Sequence, residues 1–194
     1  MTKGTIILLS GTSSAGKTSL ALALQTLLPD PYFRISSDDQ FALLHPRFLR
    51  PGTPERESVR FPMVRAYYHT LAAVASSGSS VIADTILMPD WTDVTEMHQV
   101  NVECLGLLQS ERVYFIGVVC SLKELERRER ERGNRGAGSA RAQFALVHAH
   151  GCYDVTVDTS EKSPEECAKE IAVFLSKHAE PTGLRRLYTW MKDE

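Results

Sequence analysis

The chain has 194 residues, 43% apolar and 24% charged, with 22 Lys and Arg against 24 Asp and Glu for a formal net charge of −2. That length suits one domain with a sizeable core, or a core with a small lid, and the charge balance argues against an electrostatic nucleic-acid binder. The cysteines at 104, 120, 152 and 167 form no C-x-x-C pair, no apolar run approaches a membrane span, and Met1-Thr2-Lys3-Gly4 leading straight into the first predicted strand gives the expectation of no signal peptide. The expectation is a cytoplasmic protein with reduced thiols and no membrane partner.

The first predicted strand covers 5–10 and runs directly into Gly11-Thr12-Ser13-Ser14-Ala15-Gly16-Lys17-Thr18. This is a full G-x-x-x-x-G-K-[ST] phosphate-binding loop, and a predicted helix over 17–28, beginning Lys17-Thr18-Ser19, supplies the context the motif needs. Glycines let backbone N–H groups turn inward around a phosphate, and the helix directs its positive dipole end at the same oxygens. Lys17 is placed to bridge the β- and γ-phosphates, and the Thr18 hydroxyl to take one position on Mg²⁺. The cofactors implied by the motif are a nucleoside triphosphate and Mg²⁺.

Pro29-Asp30-Pro31 ends that helix, and a second strand follows over 32–36. A polar, Pro-rich stretch over 45–57 precedes a helix over 58–76, Gly78-Ser79-Ser80 turns the chain, and a third apolar strand covers 81–84. Residues 89–107 read as mixed loop and helix, 112–120 as the clearest strand, 122–132 as a charged helix and 140–150 as a shorter one. A fifth strand over 153–158 and a closing helix over 164–178 complete the plan, leaving 180–194 as a tail of unknown role. Short apolar strands separated by helices call for a parallel sheet covered on both faces. The fold expected is α/β, a three-layer P-loop kinase with a five-stranded parallel sheet and a small Arg-rich lid at about 127–139, all within 1–179.

A phosphate loop specifies a nucleotide, not a reaction. The N-K-x-D base-reading motif of GTPases is absent, and motors usually need more chain. A small kinase needs a group for the acceptor hydroxyl, an anchor for metal and cations over the moving phosphoryl. Asp38, directly after the second strand, is the candidate base, because ligands bind beyond the carboxyl ends of parallel strands. An aspartate here also suits capping a helix from Gln40, and a division of labour gives Asp38 to the acceptor and Asp39 to the cap. Asp84, closing the third strand, is the candidate Mg²⁺ anchor. In the charged helix, Arg127 and Arg130 suit surface pairs with glutamates, whereas Arg128, Arg132 and Arg135 align on one face and suit phosphoryl oxygens. His148 and His150 have no acidic ligand at metal spacing and are taken as core or surface residues.

Together these elements resemble the chloramphenicol phosphotransferase family, small P-loop kinases akin to shikimate and adenylate kinases. The resemblance covers most of residues 5–178. It is most specific in 6–19, and from Gly117-Val118-Val119-Cys120 through Arg128-x-x-x-Arg132-Gly133-Asn134-Arg135 and Gln143 to Tyr153-Asp154-Val155-Thr156-Val157-Asp158-Thr159. It implies ATP-dependent phosphorylation of a small hydroxylated molecule, with Asp38 as base, Lys17 on the ATP phosphates, and Arg132 and Arg135 in the lid. The region 40–69 departs from the family pattern by carrying Arg47, Arg50, Arg56, Arg60 and Arg65 among several aromatic residues. Arginines suit an acceptor that already bears phosphate or carboxylate. Arg56, Arg60 and Arg65 read as surface groups, which leaves Arg47 and Arg50 for such a contact. A kinase for an anionic metabolite or nucleotide and a nucleotide-binding regulatory protein stay open as alternatives, as does homo-oligomer formation.

Overall fold

The computed structural model describes residues 3–88, 95–132, 138–177 and 180–193. Five strands, β1 (Thr5–Ser10), β2 (Tyr32–Ser36), β3 (Ser80–Thr85), β4 (Arg112–Val119) and β5 (Val155–Asp158), form one parallel sheet in the order β2-β3-β1-β4-β5. β1 pairs Leu9 with Asp84 on one side and with Ile116 on the other. The chain therefore leaves β1 where the strand order reverses, the place at which open α/β sheets bind ligands.

Alternation along β1 sorts the core into two halves. Ile6 and Leu8 face α3 (Pro54–Ser76), α4 (Thr95–Leu107) and α8 (Gly183–Asp193), packing with Tyr67, Leu71, Val100, Leu105 and Leu187. Ile7 and Leu9 face α1 (Lys17–Leu27) and α7 (Pro164–Lys177), packing with Leu20, Leu24, Cys167 and Ile171. Leu125 of α5 (Leu122–Arg132) and Ala140 of α6 (Ser139–Phe144) join this second half. A strand buried on both faces needs no polar side, which is why these strands read as continuous apolar runs. The three-layer α/β fold is the one the sequence predicts.

Several boundaries differ from expectation. α3 begins at Pro54, where the Thr53 hydroxyl accepts the Arg56 N–H as a cap and Pro54 fits the first helical turn. α6 ends at Phe144, and turns occupy residues 145–150 in place of the longer helix. Residues 180–193 do not trail free. α8 buries Leu184, Leu187 and Met191 against the first half of the core. Among the described residues, no helix is long and apolar enough to cross a membrane.

Candidate active site

The loop after β1 owes its shape to two left-handed residues, Ser14 (φ 63°) and Gly16 (φ 84°). Positive φ is cheap for glycine and strained for serine, and alternation of this kind turns consecutive N–H groups toward one side. Gly16 precedes α1 without any side-chain cap, so the first-turn amides of α1 open onto a cavity of about 360 Å³ lined by Ser14, Lys17, Thr18, Asp84 and Arg128 among others. The helix start and its dipole make this an anion site. Lys17 is buried, and its Nζ donates to the carbonyls of Gly11 (2.9 Å) and Thr12 (2.8 Å), which tethers the ammonium to the loop. Thr18 and Ser19 are exposed, whereas Thr12, Ser13 and Ala15 are buried within the loop.

Asp84 stands at the carboxyl end of β3, with one carboxylate oxygen accepting the Ser36 hydroxyl at 3.0 Å and the other 3.5 Å from the Thr18 hydroxyl. Burial raises the Asp84 carboxyl above the ordinary carboxylate range, against the lowering influence of Lys17 and the Ser36 hydrogen bond. A desolvated carboxylate beside a hydroxyl forms a hard-oxygen pair that a divalent cation would relieve. Among the described residues no group of three or more His, Cys, Asp or Glu gathers as a metal cluster. Mg²⁺ needs none, since it takes one or two protein ligands and completes its shell with phosphate oxygens and water.

Asp38 and Asp39 lie in the first turn of a short helix, α2 (Ser37–Phe41), which begins three residues before the expected Gln40. Neither aspartate caps it, because the cap position is Ser36. Asp39 instead pairs with Arg34 at 2.9 Å. Asp38 is exposed and lines the phosphate cavity and also a second cavity of about 200 Å³. The two cavities share Ser37, Asp38 and Ile86. Tyr67 stiffens this junction by donating its buried hydroxyl to the Asp84 carbonyl at 2.7 Å.

Arg128 lies over the loop, its Nη1 about 3.5 Å from where a Cβ on Gly16 would stand. Its Nε donates to Glu124 (2.7 Å) and its Nη1 to the Thr159 hydroxyl (3.3 Å), so the side chain is already oriented. Arg127 pairs with Glu124 and Glu131 on the surface, as its spacing predicts. Arg135 and the side chain of Arg132, the two lid candidates, lie outside the described residues.

Glu129 escaped the motif reading, whereas Gln143 was named only within the family resemblance. Glu129 is buried, and its carboxylate accepts the N–H groups of Gly138 (2.9 Å) and Ala140 (3.2 Å), fastening α5 to the start of α6. Its spacing from Leu122 and Leu125 places it on the apolar stripe of α5, a signal that was available. Gln143, on the same α6, accepts the Ser13 N–H at 2.8 Å.

Arginine placement reverses the expectation for Arg47, Arg50, Arg56 and Arg60 and keeps it for Arg65. Arg47 and Arg50 are exposed, Arg47 lying over Phe48, while Arg56 and Arg60 line the second cavity and Arg65 pairs with Glu103 on the surface. His148 and His150 cluster with Tyr153 as half-buried core groups, as expected. The four cysteines are free thiols.

Comparison with known proteins agrees with this fold. The family model for chloramphenicol phosphotransferase-like proteins matches residues 4–176. A Mycobacterium tuberculosis (strain H37Rv) protein named "Putative O-phosphotransferase Rv2636" is 32% identical over 208 residues, covering 96% of this chain and 89% of its own. Among solved structures, the Mycobacterium tuberculosis APS kinase in complex with AMPPNP and APS superposes with a TM-score of 0.62 at 16% identity, over 91% of this chain and 99% of that one. Shikimate kinase from Acinetobacter baumannii in complex with shikimate superposes with a TM-score of 0.62 at 17% identity, over 90% and 95%. At such identities the two structures speak for the fold alone. The family match and the mycobacterial relative carry the rest, and the chain belongs to the chloramphenicol phosphotransferase-like family as a phosphotransferase of the small-molecule kinase kind.

Proposed function

We propose that the protein transfers the γ-phosphoryl group of ATP directly to a hydroxyl of a small acceptor held in the second cavity. The observation carrying this reading is that the phosphate cavity and the second cavity meet at Asp38. Asp38 accepts the hydroxyl proton as the acceptor oxygen bonds to the γ-phosphorus, and the bond from that phosphorus to the bridging oxygen of ADP breaks. Gly11 to Ser19 cradle the phosphates, with Lys17 and Arg128 on their charge. Arg132 and Arg135 close over the transferring group and exclude water. Thr18 and Asp84 hold Mg²⁺, which when bound neutralises charge on the phosphate oxygens. A cytoplasmic ATP supply fits this chemistry. The family relationship makes the 3-hydroxyl of chloramphenicol one candidate acceptor, with antibiotic resistance as its consequence.

The test is ATP consumption by the purified chain with and without a panel of small alcohols, chloramphenicol included. One or more compounds should raise turnover well above hydrolysis by water. Asp38→Asn should lower turnover by at least about 100-fold, the lower range for a positioned proton acceptor, with nucleotide affinity intact. Full turnover in that variant overturns the base assignment, and stimulation by a protein alone would support a regulatory role.

A further inference from the structure

The second cavity has a polarity that a neutral acceptor does not use. Its walls are largely apolar, from Phe41, Val64, Leu87 and Met97, yet Arg56, Arg60 and Tyr68 line it as well. Arg56 is half-buried, and among the described residues no carboxylate pairs with it. Its guanidinium lies 5.4 Å from the Phe41 ring centre and directs Nη1 at the Met63 sulfur at 3.6 Å, a weak acceptor. Among the described residues, most of its five N–H donors therefore lack a strong acceptor, a state in which a guanidinium favours an oxyanion over apolar surroundings. Arg60, one helical turn on, makes a loose 3.7 Å pair with Glu57. The Tyr68 hydroxyl is fully buried, and among the described residues no well-formed hydrogen bond reaches it, the Thr85 side chain being its polar neighbour. An unpartnered buried hydroxyl in a cavity wall is expensive unless a ligand atom satisfies it. Asp38 stands at the junction with the phosphate cavity, so negative charge on the acceptor belongs at the Arg56–Arg60 side, away from it.

We infer that the acceptor is a small hydroxylated oxyanion, its carboxylate or phosphate held by Arg56 and Arg60 with the Tyr68 hydroxyl, and its hydroxyl presented to Asp38. The inference rests on the kinase reading for the role of Asp38 and on the cavity itself for the anion. A cavity of about 200 Å³ lies at the small end of ligand sites, in keeping with a metabolite-sized acid.

The experiment uses the full chain saturated with a non-hydrolysable ATP analogue, so that added anions do not compete for the phosphate loop. Thermal shift is measured with three matched sets of compounds: hydroxylated carboxylates, sugar phosphates, and neutral alcohols including chloramphenicol. Anionic compounds of one set should raise the transition temperature, and the set that does so separates carboxylate from phosphate. With the best compound and ATP, Arg56→Gln should raise the acceptor KM about 10- to 100-fold, the range for losing a charge-assisted contact, with kcat and the KM for ATP within about threefold. Arg56→Lys should recover part of that loss, and Asp38→Asn should bind the compound with little phosphorylation. Shifts by neutral compounds alone, shifts that survive Arg56→Gln, or no shift from any set overturn the oxyanion assignment. Anions that bind through Arg56 but are never phosphorylated leave the anchor standing and overturn the kinase reading instead.

Discussion

Gln143 and Ser13, 130 positions apart in the chain, meet at 2.8 Å, the Gln143 side-chain carbonyl accepting the Ser13 amide proton. The same short helix is fastened at its other end by Glu129, which accepts the N–H groups of Gly138 and Ala140. α6 is thus a strut between α5 and the phosphate loop. Hydrogen bonds from the backbone, that of Gly138 first, keep the Glu129 carboxyl below the ordinary glutamate range against the opposing effect of burial, so it stays an acceptor at any physiological pH. Removing the loop end of the strut in Gln143→Ala is expected to raise the KM for ATP about 5- to 10-fold, the worth of one hydrogen bond, with a smaller effect on the acceptor KM. Gln143→Glu should be worse than alanine, because it brings negative charge to the phosphate loop. Steady-state kinetics with each substrate varied in turn decides it.

Asp84 sets stability against activity. Its folded-state pKa is raised, so the folded chain holds the proton more tightly than the unfolded chain, and ionising the group costs stability as pH rises past its unfolded value. Asp84→Asn is therefore expected to raise the melting temperature of the metal-free protein at neutral pH. The same change should raise the Mg²⁺ concentration needed for half-maximal turnover at least about 10-fold, the usual penalty for losing a liganding or orienting group. Differential scanning fluorimetry with and without Mg²⁺, beside a Mg²⁺ titration of activity, reads both effects. A variant less stable without metal would show that the Ser36 and Thr18 contacts outweigh desolvation.

What the sequence disclosed follows from how each group is specified. Phosphate binding demands contiguous residues of fixed type, so Gly11 to Thr18 are legible as a string, and a strand buried on both faces announces itself, so Asp84 is found at its end. The second cavity is assembled from α2, α3, the end of β3 and α4, and no local pattern tells which turn of α3 lies beneath it. Arg56 and Arg60 hence look like Arg65, although Arg65 meets Glu103 on the surface. Asp39 resembles a cap until β2 brings Arg34 beside it. Glu129 has the spacing of the apolar stripe of α5, but its three glutamate neighbours make the whole run resemble a solvated face.

His150 supplies a pH test at a group that lines neither cavity. Its Nδ1 accepts the Cys152 N–H at 2.9 Å, and its ring stacks 5.6 Å from Phe115 at 20°. Burial, reinforced by His148, pushes the imidazole down to about 4. The unfolded chain binds a proton near pH 6.5 that the folded chain refuses until about pH 4, so the group contributes stability above 6.5 that is lost as pH falls through that window. Allowing for partial solvent access, the loss is up to about 2 kcal/mol. His150→Gln keeps an acceptor for Cys152 without a titrating ring. The difference between its denaturant-unfolding free energy and that of the wild type should shift in favour of the variant between pH 6.5 and 4. A constant difference across that range would mean the ring is protonated without penalty.

α8 completes the core, and its attachment can be dissected. The Asp154 carboxylate accepts the N–H groups of Thr182 (2.8 Å) and Gly183 (2.7 Å) with one oxygen and the Phe115 N–H (2.8 Å) with the other, stapling the start of α8 to β4. Gly183 lies so close that a Cβ would come within 2.6 Å of the Cys152 carbonyl oxygen and 2.7 Å of the Asp154 nitrogen. Both obstacles are backbone, so Gly183→Ala must displace the helix. Leu187 is fully buried against the face of the sheet that carries Tyr67 and Leu105. Leu187→Ala is expected to cost about 2–5 kcal/mol, the range for emptying a buried leucine site. Gly183→Ala should cost about 1–3 kcal/mol through overpacking. Because α8 contributes no residue to either cavity at the junction, both variants should retain near-normal KM values well below their melting temperatures. Chemical denaturation gives the stability loss and kinetics at low temperature the rest. A variant of normal stability but altered KM would mean that α8 acts on the site through α4, against which it packs.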